Sequence, residues 1–215
     1  MEKDAKPVAL VTGASRGLGA ALAGALAPAH HVIAVGRTIG ALEELDDRIK
    51  AKGGEATLAP LDITDDGAMQ HLCRSIHDRW GAVALWAHTA IHAAPFAPAP
   101  MIDGKDWKKS VEINLDAARR LIGYVAPLLK AEGAALFFDD PITDRPFSAS
   151  YGATKKAQIG LARAWREETA RTGPRVIIHT PPPMPTALRA RFYPGEKRDA
   201  LAQPSTVARD ILAQL

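Results

Sequence analysis

The stretch "VALVTGASRGLG", Val8 to Gly19, decides how the chain folds. It opens as a short apolar run and passes through Gly13, Gly17 and Gly19 in a G-x-x-x-G-x-G spacing. It then enters the Ala- and Leu-rich segment 20–29, "AALAGALAPA", which predicts a helix. Glycine lets a chain turn tightly and approach a ligand with no Cβ in the way. A helix that starts just after such a turn offers free N–H groups and a positive dipole end to a phosphate. Glycines alone are weak evidence, but between a strand and a helix at the start of a parallel sheet they form a dinucleotide-binding signature.

Strands and helices alternate outward from this turn. Apolar runs at 31–37, 55–62, 82–88, 134–139 and 175–180 predict five more strands. Between them lie helical patterns at 40–54, 64–81, about 105–131 and about 149–172, then short helices at 186–192 and 204–214. Strands that are apolar throughout, alternating with helices, predict a parallel sheet covered on both faces. The proline-rich "PPPMP", 181–185, predicts a loop. No linker or repeat interrupts residues 1–215, so one domain is expected.

Composition narrows the function. The 27 basic and 24 acidic residues give a net charge of +3, spread along the chain without a basic stripe, which argues against nucleic-acid binding. The single Cys73 excludes an internal disulfide and suits a reducing compartment. The charged start "MEKDAKP" and the lack of a long apolar run predict a soluble, cytoplasmic protein that spans no membrane. No metal site is expected.

The second strand ends in Arg37 and Thr38, where an acid would hold the ribose hydroxyls of NAD. A guanidinium instead pairs a 2′-phosphate, and Arg16 adds charge inside the turn. NADP(H) is therefore expected over NAD(H). Farther on, "YGATK" sets Tyr151 and Lys155 four residues apart, on one helical face. A free phenol titrates near ~10, and a neighbouring ammonium favours its ionised form.

"TGASRGLG" followed far downstream by "YGATK" resembles the short-chain dehydrogenase/reductases, and the resemblance covers nearly the whole chain. It implies a three-layer doubly wound α/β Rossmann fold with strand order 3-2-1-4-5-6. It implies a catalytic set of Tyr151, Lys155 and Asn114, the last from "VEINL", where the family's Asn holds a water in a proton relay. Tyr151 would protonate a carbonyl oxygen, or take the proton back from an alcohol, and Lys155 would also bind the nicotinamide ribose. Asp62 and Ile63 of "LDITD" fall where the family holds adenine. Pro181 and Thr186 take the places of the loop near the nicotinamide. With Gly13, Ser15, Arg16, Gly17, Leu18, Gly19, Arg37, Thr38 and Ala90 they complete the implied cofactor set.

The chain departs from the family in three places. His88-Thr89-Ala90-Ile91 stands where the family has Asn-Asn-Ala-Gly, and His88 reads as a brace for the sheet. The family's catalytic Ser, at the end of the fifth strand, is replaced by Asp140. An ionised Asp only accepts hydrogen bonds, so it would raise the Tyr151 pKa and work against Lys155. Three readings stay open: Asp140 stays protonated and donates, binds a donor on an unusual substrate, or marks a weak or inactive enzyme. Thr143, Ser148 and Ser150 are the hydroxyls nearby in sequence. The chain also stops at "DILAQL", before the family's seventh strand. The expectation is an NADP(H)-dependent oxidoreductase for a small carbonyl or alcohol, forming a homodimer through helices 105–131 and 149–172. The alternative is an NADP(H)-binding regulatory protein without turnover. The segment 186–200 carries Arg189, Arg191, Phe192 and Tyr193 and is the expected substrate loop.

Overall fold

The computed structural model describes residues 6–215. Its six strands are β1 Val8–Thr12, β2 His31–Val35, β3 Glu55–Ala59, β4 Leu85–His88, β5 Ala134–Phe138 and β6 Arg175–His179. They form one parallel sheet in the order β3-β2-β1-β4-β5-β6. Every residue of β1, β4 and β5 is buried, as apolar strands in a doubly covered sheet require.

Side chains alternate along each strand, so the sheet supports two cores. On one face Leu10, Ile33, Trp86 and Phe137 pack with α3 (Asp66–Trp80), α5 (Ala117–Leu129) and α6 (Ala149–Glu168). On the other, Val11, Val32, Ala34 and Leu136 pack with α1 (Gly17–Leu26), α2 (Ile39–Lys50) and α8 (Pro204–Leu212). Trp86 anchors the first core: its ring lies 5.3 Å from Phe137 and 6.4 Å from Trp165, both buried. Truncating such a residue to Ala costs about 3–5 kcal/mol.

Local chemistry sets the helix ends. Asp65 caps α3 by accepting from the Ala68 N–H at 3.0 Å, and Gly81 ends it in a left-handed turn at φ +73°. The helix expected from 20 begins earlier, at Gly17, inside the glycine turn. The helix expected from 149 to 172 ends at Glu168. The long helix expected over 105–131 is α4 (Gly104–Ser110) and α5 joined by a π-helical turn, Val111–Asp116. Such a turn admits one extra residue and takes carbonyls out of the regular ladder. Asn114 sits in it. The short helix α7, Ala187–Phe192, is capped by the Thr186 hydroxyl.

Loops leaving the carboxyl ends of β1 and β4 diverge on opposite sides of the sheet. In this topology the divergence opens a crevice.

Candidate active site

A cleft of about 850 Å³ lies across the carboxyl ends of all six strands. Every residue expected above to touch the cofactor lines it, from Gly13 to Thr186, and so does Asp140. Asn114 is fully buried behind it and is not part of its wall.

The glycine turn serves two purposes. A Cβ on Gly13 (φ +89°) would come within 2.5 Å of the Ala90 N and 2.7 Å of Thr89 Oγ1, and one on Gly19 would strike the Gly13 carbonyl. These two glycines let the turn pack on the end of β4, where the Thr89 hydroxyl donates to the Thr12 carbonyl at 2.9 Å. Gly17, at φ +55°, faces Thr186 across the cleft. No side chain caps the start of α1, and its first turn carries no acid. Its N–H groups therefore remain available to an anion, which fits a pyrophosphate.

At the adenine end the Arg37 guanidinium lies 3.4 Å from Asp62 Oδ2, and both side chains are partly exposed. Asp62 Oδ1 accepts from the Thr64 N–H at 3.0 Å and the Thr64 hydroxyl at 2.9 Å. Burial works against its charge, but these bonds and Arg37 hold its carboxyl below the usual range. Arg37 can leave so weak a surface pair for a phosphate at little cost.

At the other end, Asp140 uses both oxygens as acceptors. Oδ1 takes the Ile142 N–H at 3.0 Å, capping the turn Pro141–Asp144, and Oδ2 takes the Tyr151 hydroxyl at 2.9 Å. Tyr151 is 2% exposed. Its pKa is pushed well above the ordinary 10 by burial first, then by the charge and hydrogen bond of Asp140, then by Asp139. This is the direction expected of an acid in the serine's place. Thr143, Ser148 and Ser150 do not line the cleft. Ser148 donates to the Arg145 carbonyl at 2.7 Å, and Ser150 pairs with Ser110 at 3.2 Å.

Lys155 is buried, and burial lowers it to about 8 against the opposing pull of Asp140 and Asp139. Its ammonium donates to Gln158 Oε1 at 2.7 Å. Gln158 Nε2 donates in turn to the Asn114 carbonyl at 2.9 Å and approaches His88 Nε2 at 3.3 Å. With Nε2 accepting, His88 donates from Nδ1 to the Thr12 hydroxyl at 2.8 Å. His88 braces β4 against β1 in this way, and burial, then Lys155, hold it down to about 3. The Asn114 amide donates to the His92 carbonyl at 2.9 Å and accepts the His92 N–H at 2.7 Å, pinning the loop after β4. Sequence reading missed Gln158, although residues 151, 155 and 158 follow the i, i+4, i+7 spacing of one helical stripe.

The substrate side is closed by aromatic packing. Phe192 lies 5.0 Å from the Tyr151 ring and stacks on Phe96 at 4.7 Å. Ile91, where the family has Gly, packs into this cluster. Two arginines of the segment 186–200 have partners within the chain: Arg189 forms a bidentate pair with Glu196 at 2.7 and 2.8 Å, and Arg191 donates to the Ala93 carbonyl at 2.7 Å.

Residues 7–197 match the family model of the short chain dehydrogenases. The chain belongs to that family. It is similar to a structure described as a short chain dehydrogenase from Pseudomonas syringae, with 27% identity, TM-score 0.90, and coverage of 97% of this chain and 88% of that one. A Shigella flexneri short chain dehydrogenase solved with NADP is 26% identical over 94% of this chain and 87% of that chain, with TM-score 0.88. Among curated relatives, the cis-4-hydroxycyclohexanecarboxylate dehydrogenase of Sinomonas cyclohexanicum is 25% identical across 98% of this chain and 89% of its own length. In this short chain dehydrogenase the cleft holds Tyr151 and Lys155, with Asp140 on the Tyr151 hydroxyl and Gln158 on the lysine. Among the described residues no helix is long and apolar enough to cross a membrane.

Proposed function

We propose that the protein is an NADP(H)-dependent oxidoreductase that reduces a small carbonyl compound to an alcohol, with Tyr151 as proton donor. The observation that carries this reading is the buried Tyr151 hydroxyl, one helical turn from Lys155, in the same cleft as the uncapped start of α1. Arg37 and Arg16 support NADP(H) over NAD(H), as does the NADP bound to the Shigella relative. When bound, the nicotinamide supplies the hydride.

The residues then divide the remaining work. Tyr151 stays protonated at neutral pH and turns its hydroxyl hydrogen from Asp140 to the substrate oxygen. Lys155, one helical turn away and held down to about 8 by burial, is the cation available to the phenolate that is left. Phe192 and Phe96 keep water from the reacting oxygen. A tyrosine held neutral has a proton to give to a carbonyl oxygen, and the same residues run in reverse oxidise an alcohol. The small substrate, the cytoplasmic location and a homodimer through α4–α5 and α6 belong to the same proposal.

The test is NADPH consumption against a panel of aldehydes and ketones. Wild type turns over at least one compound, and Tyr151→Phe loses about 10²-fold or more. Consumption unaffected by Tyr151→Phe would refute the mechanism. A second reading, an NADP(H)-binding protein without turnover, is favoured by the 2.9 Å Asp140 contact, which opposes the phenolate. Tight NADPH binding with no turnover across the panel, restored by Asp140→Ser, supports that reading instead.

A further inference from the structure

We propose that Gln158 is a positioning residue that closes the inner side of Lys155 to water, so that Tyr151 regains its proton through Asp140. This rests on the reading of Tyr151 as proton donor. Each turnover leaves a phenolate oxygen on Tyr151, and one proton must return from solvent. Two routes lead from the Tyr151–Lys155 pair, inward along α6 and outward past β5.

The inward route is blocked. Behind Lys155 stands Gln158, 1% exposed, with its carbonyl on the ammonium and its amide on the Asn114 carbonyl and His88. An amide neither gains nor loses protons at neutral pH, so it bridges these groups without conducting between them. His88, 1% exposed, ends at Thr12, whose side chain is held inside the sheet by Trp86 Nε1 at 3.2 Å. Asn114 has both ends of its amide committed to His92 and Thr154. Among the described residues, no group on the inner side of this relay reaches the surface, and Lys155 and His88 meet open space only in the cleft.

The outward route is open. Asp140 touches the Tyr151 hydroxyl and is partly exposed at the cleft wall. Its carboxylate takes a proton from water or a buffer acid, leaving hydroxide or the conjugate base. The Asp140 O–H bond then breaks as the phenolic O–H bond reforms, and the carboxylate is restored. The charged groups facing Asp140 are Tyr151 and Lys155 from α6, Arg189 from α7, and Asp139, itself 3.3 Å from Arg163.

The two residues are therefore coupled in a way a structural glutamine would not be. Asp140→Asn lowers kcat by about tenfold or more, and small buffer acids partly restore it in proportion to their concentration. Adding Gln158→Ala to Asp140→Asn raises kcat again, because the vacated space admits a water with Lys155, the Asn114 carbonyl and His88 as partners. Adding Gln158→Met, which keeps the volume and excludes water, does not. A crystal structure of Gln158→Ala shows a water bonded to both Lys155 Nζ and the Asn114 carbonyl. If Gln158→Ala does not fold, Gln158→Ser takes its place. A double variant slower than Asp140→Asn alone overturns the proposal, as does a variant crystal with no such water. If wild type reduces no carbonyl compound, the reading of Tyr151 fails, and the crystal structure alone decides whether Gln158 seals the site.

Discussion

Replacing Asp140 with Asn removes one negative charge from beside the Tyr151 hydroxyl while keeping the shape of the side chain. The contact is 2.9 Å, and Tyr151 is 2% exposed. Two unit charges at that distance repel by about 5 kcal/mol at an effective dielectric of ~20. The carboxylate is partly exposed and shares its charge between two oxygens, which reduces the figure to about 2–3 kcal/mol. Removing that repulsion lowers the Tyr151 pKa in Asp140→Asn, since the charge and hydrogen bond of Asp140 are among the causes that raise it. Burial still holds it up, so it does not reach the range of a free phenol. Ultraviolet absorbance of ionised tyrosine, followed with pH and subtracted from the same variant carrying Tyr151→Phe, isolates this one titration. A fall of less than about 0.5 unit would refute the reasoning, because it would mean that Asp140 is neutral or turned away.

Three further outcomes test other parts of the site. His88 has its folded pKa held to about 3, below the ordinary 6.5, so its contribution is complete above pH 6.5 and is lost as pH falls toward 3. Wild type therefore loses up to about 4 kcal/mol more than His88→Gln between neutral pH and pH 3–4, read as urea midpoints. Gly13→Ala combines a φ of +89° with a Cβ 2.7 Å from Thr89 Oγ1, and it destabilises the fold by about 2–4 kcal/mol in thermal or urea unfolding. An unchanged midpoint would show that the turn yields. Arg37→Ser weakens NADPH binding by about 10–100-fold in calorimetry and leaves NADH nearly unchanged. Equal losses for both would remove Arg37 from phosphate recognition.

The fold was legible because its signals were local and repeated. Apolar runs such as "VALVT" and "AALFF" could only be buried strands, and Gly13 and Gly19 fixed the first crossover. The two cores followed from alternation along those strands. The wall of the cleft was legible in the sequence, since Tyr151, Lys155, Arg37 and Asp62 all border it. The site was less legible where a role depends on a partner distant in sequence. Gln158 and Asn114 are 44 residues apart, and nothing in either segment announces that one amide meets the other carbonyl. The break in the long helix was hidden too, because "SVEINLD" keeps helical residues throughout while its backbone takes an extra residue per turn. The charges of segment 186–200 read equally as substrate contacts or as a solvated surface, and the sequence did not show that Arg189 and Arg191 bind Glu196 and Ala93 within the chain.

Asp140, Asp139 and Gln158 converge on one buried cation. Burial lowers Lys155 to about 8, and Asp140 and Asp139 are the groups that raise it against that pull. A serine in place of Asp140 would offer a hydroxyl to the substrate oxygen, but it would also take away part of the charge that keeps Lys155 protonated. Gln158 supplies an acceptor and no charge, so it cannot make up the loss. Asp140→Ser is thus expected to lower the Lys155 pKa below its present value, moving the alkaline limb of the kcat profile to lower pH, while Tyr151 ionises more readily. Asp140→Ser combined with Gln158→Ala admits a water beside the ammonium and moves that limb back up. If Asp140→Ser leaves the alkaline limb in place, the ammonium is being held by something other than Asp140.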